Sequence, residues 1–316
     1  MTRVHRGDQA FDYESLLGTE TEMPFSGARS FMRRRQTRNL AGVDYAVMGI
    51  PYDLSTSGRP GSRLAPDALR RATSQLSWGE VWPWGFDPFD RLAVVDYGDV
   101  FYQRGQPQEM LENTYLQALT VLKAGTRLVG LGGDHLVTYP LLKAHAEIHG
   151  PLALIQFDAH RDTAKSSWLD HGSFVRFAMD EGLIDPSRSI QIGIRTHYDL
   201  DDPITVLHRP WVRKHGVEAL VAEIERVTDG LPCYLTFDID SVDPAFAPGT
   251  GTPVVDGLTP HEIFDTLRAM TKPNIVGMDV VEVSPPYDPT EVTALFGASV
   301  IVEHLCARAS VLPPKA

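Results

Sequence analysis

LALIQFDAHRD, Leu152–Asp162, is the stretch whose reading decides the fold. Its first half is a mostly apolar run without strict alternation, as expected of a strand covered on both faces. Its second half places Asp158, His160 and Asp162 at every other position. Side chains two apart on an extended chain share a face, so these three can converge, and the same parity turns Arg161 away. Three further apolar runs end in a similar way. TRLVGLGGDH closes on Asp134 and His135, CYLTFDIDSVD on Asp238, Asp240 and Asp243, and NIVGMDVVEV on Asp279 and Glu282.

Outward from these runs the chain alternates. Further β-rich segments lie at DYAVMGI, RLAVVDYG and SIQIGIR, and amphipathic stretches such as APDALRRATSQL, MLENTYLQALTVLKA and GVEALVAEIERVTDG separate the strands. Strand and helix in alternation predict βαβ units. The expected fold is α/β: a single-domain three-layer α/β/α sandwich with a mainly parallel sheet over residues 41–316. Ligands of such sheets bind at the carboxyl ends of the strands. Residues 1–40 are polar and irregular, with the basic run MRRRQTR, and read as an N-terminal arm that is solvated or forms a subunit contact.

Composition narrows the functional classes. A net charge of −12 over 316 residues argues against nucleic acid or anionic membranes as partners. Two cysteines, Cys233 and Cys306, give neither a disulfide scaffold nor a thiolate metal site. No apolar run approaches the ~20 residues of a membrane span. The first residues lack the apolar core of a signal peptide, so the expected location is cytoplasmic.

Taken singly, each polar strand end has an ordinary explanation. GGDH could be a tight turn with a helix cap, and DIDSVDP a turn or a calcium-like loop. Joint placement after four strands is harder to explain, because buried charge without compensation is too costly. Crowded carboxylates call for cations, and Asp with His but no thiolate suits Mn²⁺, Zn²⁺, Ni²⁺ or Fe²⁺. The four charges of Asp158, Asp162, Asp238 and Asp240 match two divalent ions. Such a pair would lower the pKa of a shared water and leave the centre suited to a cationic electrophile.

GGDH, FDAHRD, TFDIDSVDPAFAPGTGTP and GMDVVEVSPPYD resemble the signatures of the ureohydrolase family, which includes arginase, agmatinase and guanidinobutyrase. The match runs from about Arg29 to the C-terminus and is most similar to bacterial agmatinases. The resemblance implies hydrolysis of a guanidino group to urea and an amine, with agmatine giving putrescine. It implies two Mn²⁺ per subunit, with Ni²⁺ as the alternative. One ion would take His135, Asp158, Asp162 and Asp238, and the other Asp158, His160, Asp238 and Asp240. His171 would pass a proton to the leaving amine, Glu282 would hold the guanidinium, Asp240 would help stabilise the tetrahedral intermediate, and Thr252 would orient Glu282. A trimer or hexamer is also implied.

Three departures from the family pattern bear on the substrate. Arg161 stands where a small or polar residue is common, Gln156 where agmatinases commonly carry His, and the loop at 164–170 is slightly short. That loop and THYDLDDP (196–203) are expected to border the pocket, with Trp168 closing it or stacking on a cation. Alternatives are therefore 4-guanidinobutyrate, 3-guanidinopropionate, guanidine or a biguanide such as metformin; anionic tails could use Arg161 or Lys165. A weakly active partner subunit and a one-metal amide hydrolase of the related deacetylase fold are readings from other classes. The full ligand set argues against the first, and Glu282 with two bridging-type aspartates against the second.

Overall fold

The structure is a computed structural model that describes residues 7–11, 13–197 and 201–315. Eight strands form one sheet: β1 Tyr45–Gly49, β2 Val94–Asp99, β3 Arg127–Leu131, β4 Ala153–Phe157, β5 Ile190–Ile194, β6 Thr205–His208, β7 Pro232–Asp238 and β8 Asn274–Val281. Their order is β2-β1-β3-β8-β7-β4-β5-β6, and every pairing is parallel. The last strand, β8, therefore lies in the middle, between β3 and β7.

Among the described residues six α-helices lie between strands, α1 Ala65–Thr73, α2 Pro107–Lys123, α3 Thr138–His149, α4 Phe174–Asp180, α5 Arg209–Thr228 and α6 Pro260–Ala269, and a seventh, α7 Val292–Ser310, follows β8. Successive residues of a strand face opposite layers. Val47, Val129, Ile155 and Leu235 join a core under α1, α5, α6 and α7. Ala46, Leu128, Leu154 and Tyr234 join the other core, under α2, α3 and α4. Each fully buried aliphatic side chain contributes about 1.5–3 kcal/mol, so both faces of the sheet are held. The α/β/α sandwich read from the sequence is the fold observed.

Three features differ from the sequence reading. Strand β6 was not anticipated; it has four residues at the sheet edge, of which only Leu207 is buried, so it carries little hydrophobic pattern. The basic run at 32–38 is not simply solvated. Arg33 and Arg34 are buried, Arg33 pairs with the buried Asp8 at 2.7 Å, and Arg34 lies over the Phe89 ring. Helix α7 is long and apolar enough, by composition, to cross a membrane, but it is a core helix packed on α1 and α6.

The loops after β3, β8, β7 and β4 meet at one edge of the sheet centre. Close backbone approach fixes the first of them. Asp134 N–H donates to the Tyr52 carbonyl at 2.8 Å, and any Cβ on Gly133 would overlap that carbonyl. This is why GGDH needs its second glycine.

Candidate functional site

Four neighbouring strands deliver the polar side chains. Asp158, His160 and Asp162 follow β4, Asp238 ends β7 with Asp240 just beyond, His135 follows β3, and Glu282 follows β8. His135 Nδ1 lies 3.2 Å from Asp158 Oδ2, 3.0 Å from Asp162 Oδ2 and 3.1 Å from Asp238 Oδ2. His160 Nδ1 lies 3.0 Å from Asp240 Oδ2 and 3.5 Å from Asp158 Oδ1. Asp158 is thus common to two ligand groups, His135–Asp158–Asp162 and Asp158–His160–Asp240. Asp238 borders the first group through its contact with His135.

The orientation of His135 tests whether a cation fits. Its Nε2 is 2.8 Å from Thr236 Oγ1, whose hydroxyl donates to Asp279 Oδ1 at 2.6 Å. With that hydroxyl proton committed, Thr236 accepts from Nε2–H, which leaves a lone pair on Nδ1. That lone pair faces three carboxylate oxygens and makes no aligned hydrogen bond to any of them. Three acceptors around a fourth are repulsive as hydrogen bonding and appropriate as metal ligation. Asp279, grouped with the ligand candidates in the sequence, lies behind them and orients His135 through Thr236.

Electrostatics agree. Burial, together with the charges of Asp240 and Asp158, pushes Asp238 well above the usual carboxylate range. Burial and Asp158 raise Asp240 as well, and lift Asp162 to about 6. Burial would also raise Asp158, but His135 and His160 outweigh it and hold it low. Burial would lower His160, yet Asp240 and Asp158 lift it to about 12. A cluster that must share protons to keep its carboxylates together is one that divalent cations would relieve.

Asp162 and Glu282 both adopt left-handed backbone, with φ of 52° and 61°. Such conformations are strained for residues other than glycine and concentrate at functional sites. Here they turn the chain so that each side chain reaches the site. Glu282 Oε1 accepts from His135 N–H at 3.0 Å and contacts His171 Nδ1 at 2.9 Å. No described residue donates to Glu282 Oε2. His171 Nε2 accepts from Ser57 N–H at 2.9 Å and is also 2.9 Å from Ser57 Oγ. Acceptance at Nε2 makes the ring neutral in this arrangement, with Nδ1–H donating to Glu282 Oε1. Burial lowers the affinity of His171 for a second proton, but Glu282 outweighs it and sets its pKa at about 9. The ring can therefore hold the second proton once Ser57 yields.

Two sequence expectations are corrected. The Thr252 hydroxyl donates to Asp240 Oδ2 at 3.1 Å and so supports a candidate ligand instead of orienting Glu282. Trp168 is 76% exposed and stands outside the cavity lining, not over the pocket as expected. Asp134 is a cap, as its bland reading allowed: it accepts from Leu136 N–H and from the backbone and hydroxyl of Ser55. Asp243 accepts from Ala245 and Gly257 N–H, which is turn chemistry. Sequence reasoning missed Ser55 and Ser57, because PYDLSTSGRP reads as an ordinary polar loop.

The cavity measures about 570 Å³ and is lined by His135, His160, Asp162, His171, Asp238 and Thr252, with Lys165, His197 and Asp201 among its other lining residues. Lys165 pairs with Asp201 at 2.6 Å, and Arg176 meets Asp201 at 2.8 Å. The 164–170 loop thus supplies a wall through Lys165. Of the 196–203 segment, 198–200 lie outside the described residues. Arg161 also lines the cavity, but it is buried and bonded to Gln191 and Asp202.

Comparison with known proteins gives a consistent result. The profile of the arginase family matches residues 43–307. The chain is 48% identical to an agmatinase of Chromobacterium violaceum, over 95% of this chain and 94% of that one. It is 50% identical to an agmatinase of Proteus mirabilis, over 93% and 98%. A crystal structure of a hypothetical agmatinase from Burkholderia thailandensis superposes with a TM-score of 0.94 at 48% identity, covering 96% of this chain and 97% of that one. Proclavaminate amidino hydrolase from Streptomyces clavuligerus superposes with a TM-score of 0.85 at 36% identity, covering 91% and 99%.

Proposed function

The chain belongs to the arginase family, and from that premise we propose that it hydrolyses agmatine to putrescine and urea. It is a metal-dependent ureohydrolase acting on a guanidino C–N bond, in a family whose members use a binuclear metal centre. The observation that carries the reading is the sharing of Asp158 between two ligand groups, with Glu282 and His171 beside them. His135, Asp158, Asp162 and Asp238 would hold one ion, and Asp158, His160, Asp238 and Asp240 the other. Mn²⁺ is the proposed metal and Ni²⁺ its alternative. When bound, the ions supply a water acidic enough to act as a nucleophile near neutral pH.

The chain's own residues supply the rest. Glu282 Oε2 is open to accept from a guanidinium N–H, while Oε1 stays committed to His135 N–H and His171. A charge-assisted contact of this kind orients a planar cation. Asp240, steadied by Thr252 and by Ala159 N–H at 3.1 Å, adds negative charge where the substrate carbon carries positive charge. His171 can take up at Nε2 the proton that the attacking water gives up; the Ser57 N–H that it faces when neutral would give way to Ser57 Oγ, which can accept. The same Nε2 then delivers the proton to the departing amine.

A second reading keeps the chemistry and changes the tail. Lys165 at the mouth could meet the carboxylate of 4-guanidinobutyrate or 3-guanidinopropionate, and a 36% identical relative bears the name of a different amidino substrate. We extend the proposal to a homotrimer or homohexamer in the cytoplasm. The exposed Trp78 and Trp82, beside Val81 and Val302, suit a subunit contact, and light scattering tests it. Urea release with Mn²⁺ or Ni²⁺, on agmatine, both guanidino acids, guanidine, metformin and arginine, tests the substrate. Turnover of agmatine above the others supports the proposal; turnover of a guanidino acid with none of agmatine replaces it with the second reading.

A further inference from the structure

The three departures at positions 156, 161 and 164–170 prompt a question about how the first two sit. Arg161 and Gln156 belong to one buried chain of hydrogen bonds. Arg161 donates through Nη2 to Asp202 Oδ1 at 2.6 Å and through Nε to Gln191 Oε1 at 2.7 Å. Gln191 Nε2 donates to Gln156 Oε1 at 2.7 Å, and Gln156 Nε2 donates to Asp158 Oδ2 at 2.8 Å. Gln156, Gln191 and Asp158 are wholly buried, and Arg161 is 3% exposed.

The polarity of this chain is fixed at its far end. Arginine only donates, so the Gln191 carbonyl must face it. The Gln191 amide then points at Gln156, a setting reinforced by its second bond to the Arg161 carbonyl at 2.7 Å. Gln156 is left with its amide toward Asp158. The other Asp158 oxygen, Oδ1, accepts from His160 N–H at 2.6 Å. Each carboxylate oxygen therefore carries one fixed donor and turns its remaining side to a different ligand group: Oδ2 to His135, Oδ1 to His160. A carboxylate held in this way is set to bridge.

We propose that Asp202, Arg161, Gln191 and Gln156 form a positioning relay that orients Asp158 as the bridging ligand. None of the four is a ligand itself. The proposal rests on the reading of Asp158 as a shared metal ligand. Outer groups that orient metal ligands typically change metal affinity by about 10–100-fold when removed. Because the relay ends on Oδ2, the ion beside His135 is the one that depends on it most.

Binding of Mn²⁺ to protein stripped with a chelator, followed by titration calorimetry, tests the relay in Gln191→Met, Arg161→Met and the double variant. Each single change should weaken one of the two ions about 10–100-fold. The double variant should lose no more than the worse single one, since a relay in series is cut only once. At saturating Mn²⁺ the KM for the guanidino substrate should stay within about twofold. Gln191→Glu covers a folding failure of the methionine variants: it keeps an acceptor for Arg161 but loses the donor to Gln156, and should show the same loss. Wild-type Mn²⁺ affinity in a folded relay variant, or additive losses in the double variant, would overturn the proposal. Asp158→Asn separates the two readings. If it binds both ions as the wild type does, the shared-ligand reading fails; if it loses them while Gln191→Met or Gln191→Glu does not, only the relay fails.

Discussion

Asp238 is buried beside His135 at the cavity wall and raised by burial and by its acidic neighbours, so its charge is best tolerated against a cation. Asp238→Ala should abolish both tight Mn²⁺ binding and urea release; calorimetry and a urea assay on the same preparation check it, and normal activity would remove Asp238 from the ligand set. Trp168 makes the opposite prediction. Its ring is 76% exposed and outside the cavity lining, so Trp168→Ala should leave kcat/KM within about twofold, read in a steady-state assay. The candidate ligands were legible in the sequence because each follows an apolar run, where a charged side chain has no structural reason to recur. The partners that orient them were not. Thr236 lies 101 positions from His135, and Ser57 lies 114 from His171 in the same site; a lone hydroxyl carries no periodic signal.

At the scale of elements, the loop after β3 is the most constrained. Its backbone runs against Tyr52, and Glu282 N–H donates to the Gly133 carbonyl at 2.8 Å, so two strand exits depend on one glycine. Gly133→Ala puts a methyl group into a carbonyl that cannot swing aside. It should cost about 3 kcal/mol and displace both His135 and Glu282. Denaturant unfolding and Mn²⁺ binding measured on one variant check both halves. Helix and strand alternation made the sandwich readable, since long amphipathic helices and two-sided apolar strands have distinct periods. Short elements escaped for the same reason: β6 is too brief to express a period. Helix α5 begins at Arg209, upstream of the GVEALVAEIERVTDG stretch, because the chain bends at Gly216 with φ of 78° between two helical pieces.

Across the whole molecule, acid stability is set in part far from the cavity. His145, on α3, is fully buried edge-on to the Tyr234 ring, with Nδ1–H donating to the Leu141 carbonyl at 2.7 Å and Nε2 without a partner. Burial pushes its pKa down to about 4, against an ordinary value of 6.5. The unfolded chain therefore takes up the proton first as pH falls. The contribution is intact above about pH 6.5 and is lost between there and about pH 4, where it amounts to on the order of 3 kcal/mol. Urea unfolding of wild type and His145→Gln across that interval checks it, the variant losing less stability with acid. Arg34, over the Phe89 ring, likewise ties the basic run to the body of the fold, which the charge run alone concealed. Strand β8, the last strand in sequence, sits between β3 and β7. During synthesis on the ribosome, everything up to Thr271 can emerge while the centre of the sheet is still missing. Until β8 arrives, β3 and β7 each present an open edge that invites pairing with another nascent chain. Stalled chains ending before Asn274 should accordingly remain protease-sensitive and prone to aggregate, and chains extended past α7 should not; limited proteolysis of ribosome-bound intermediates distinguishes the two.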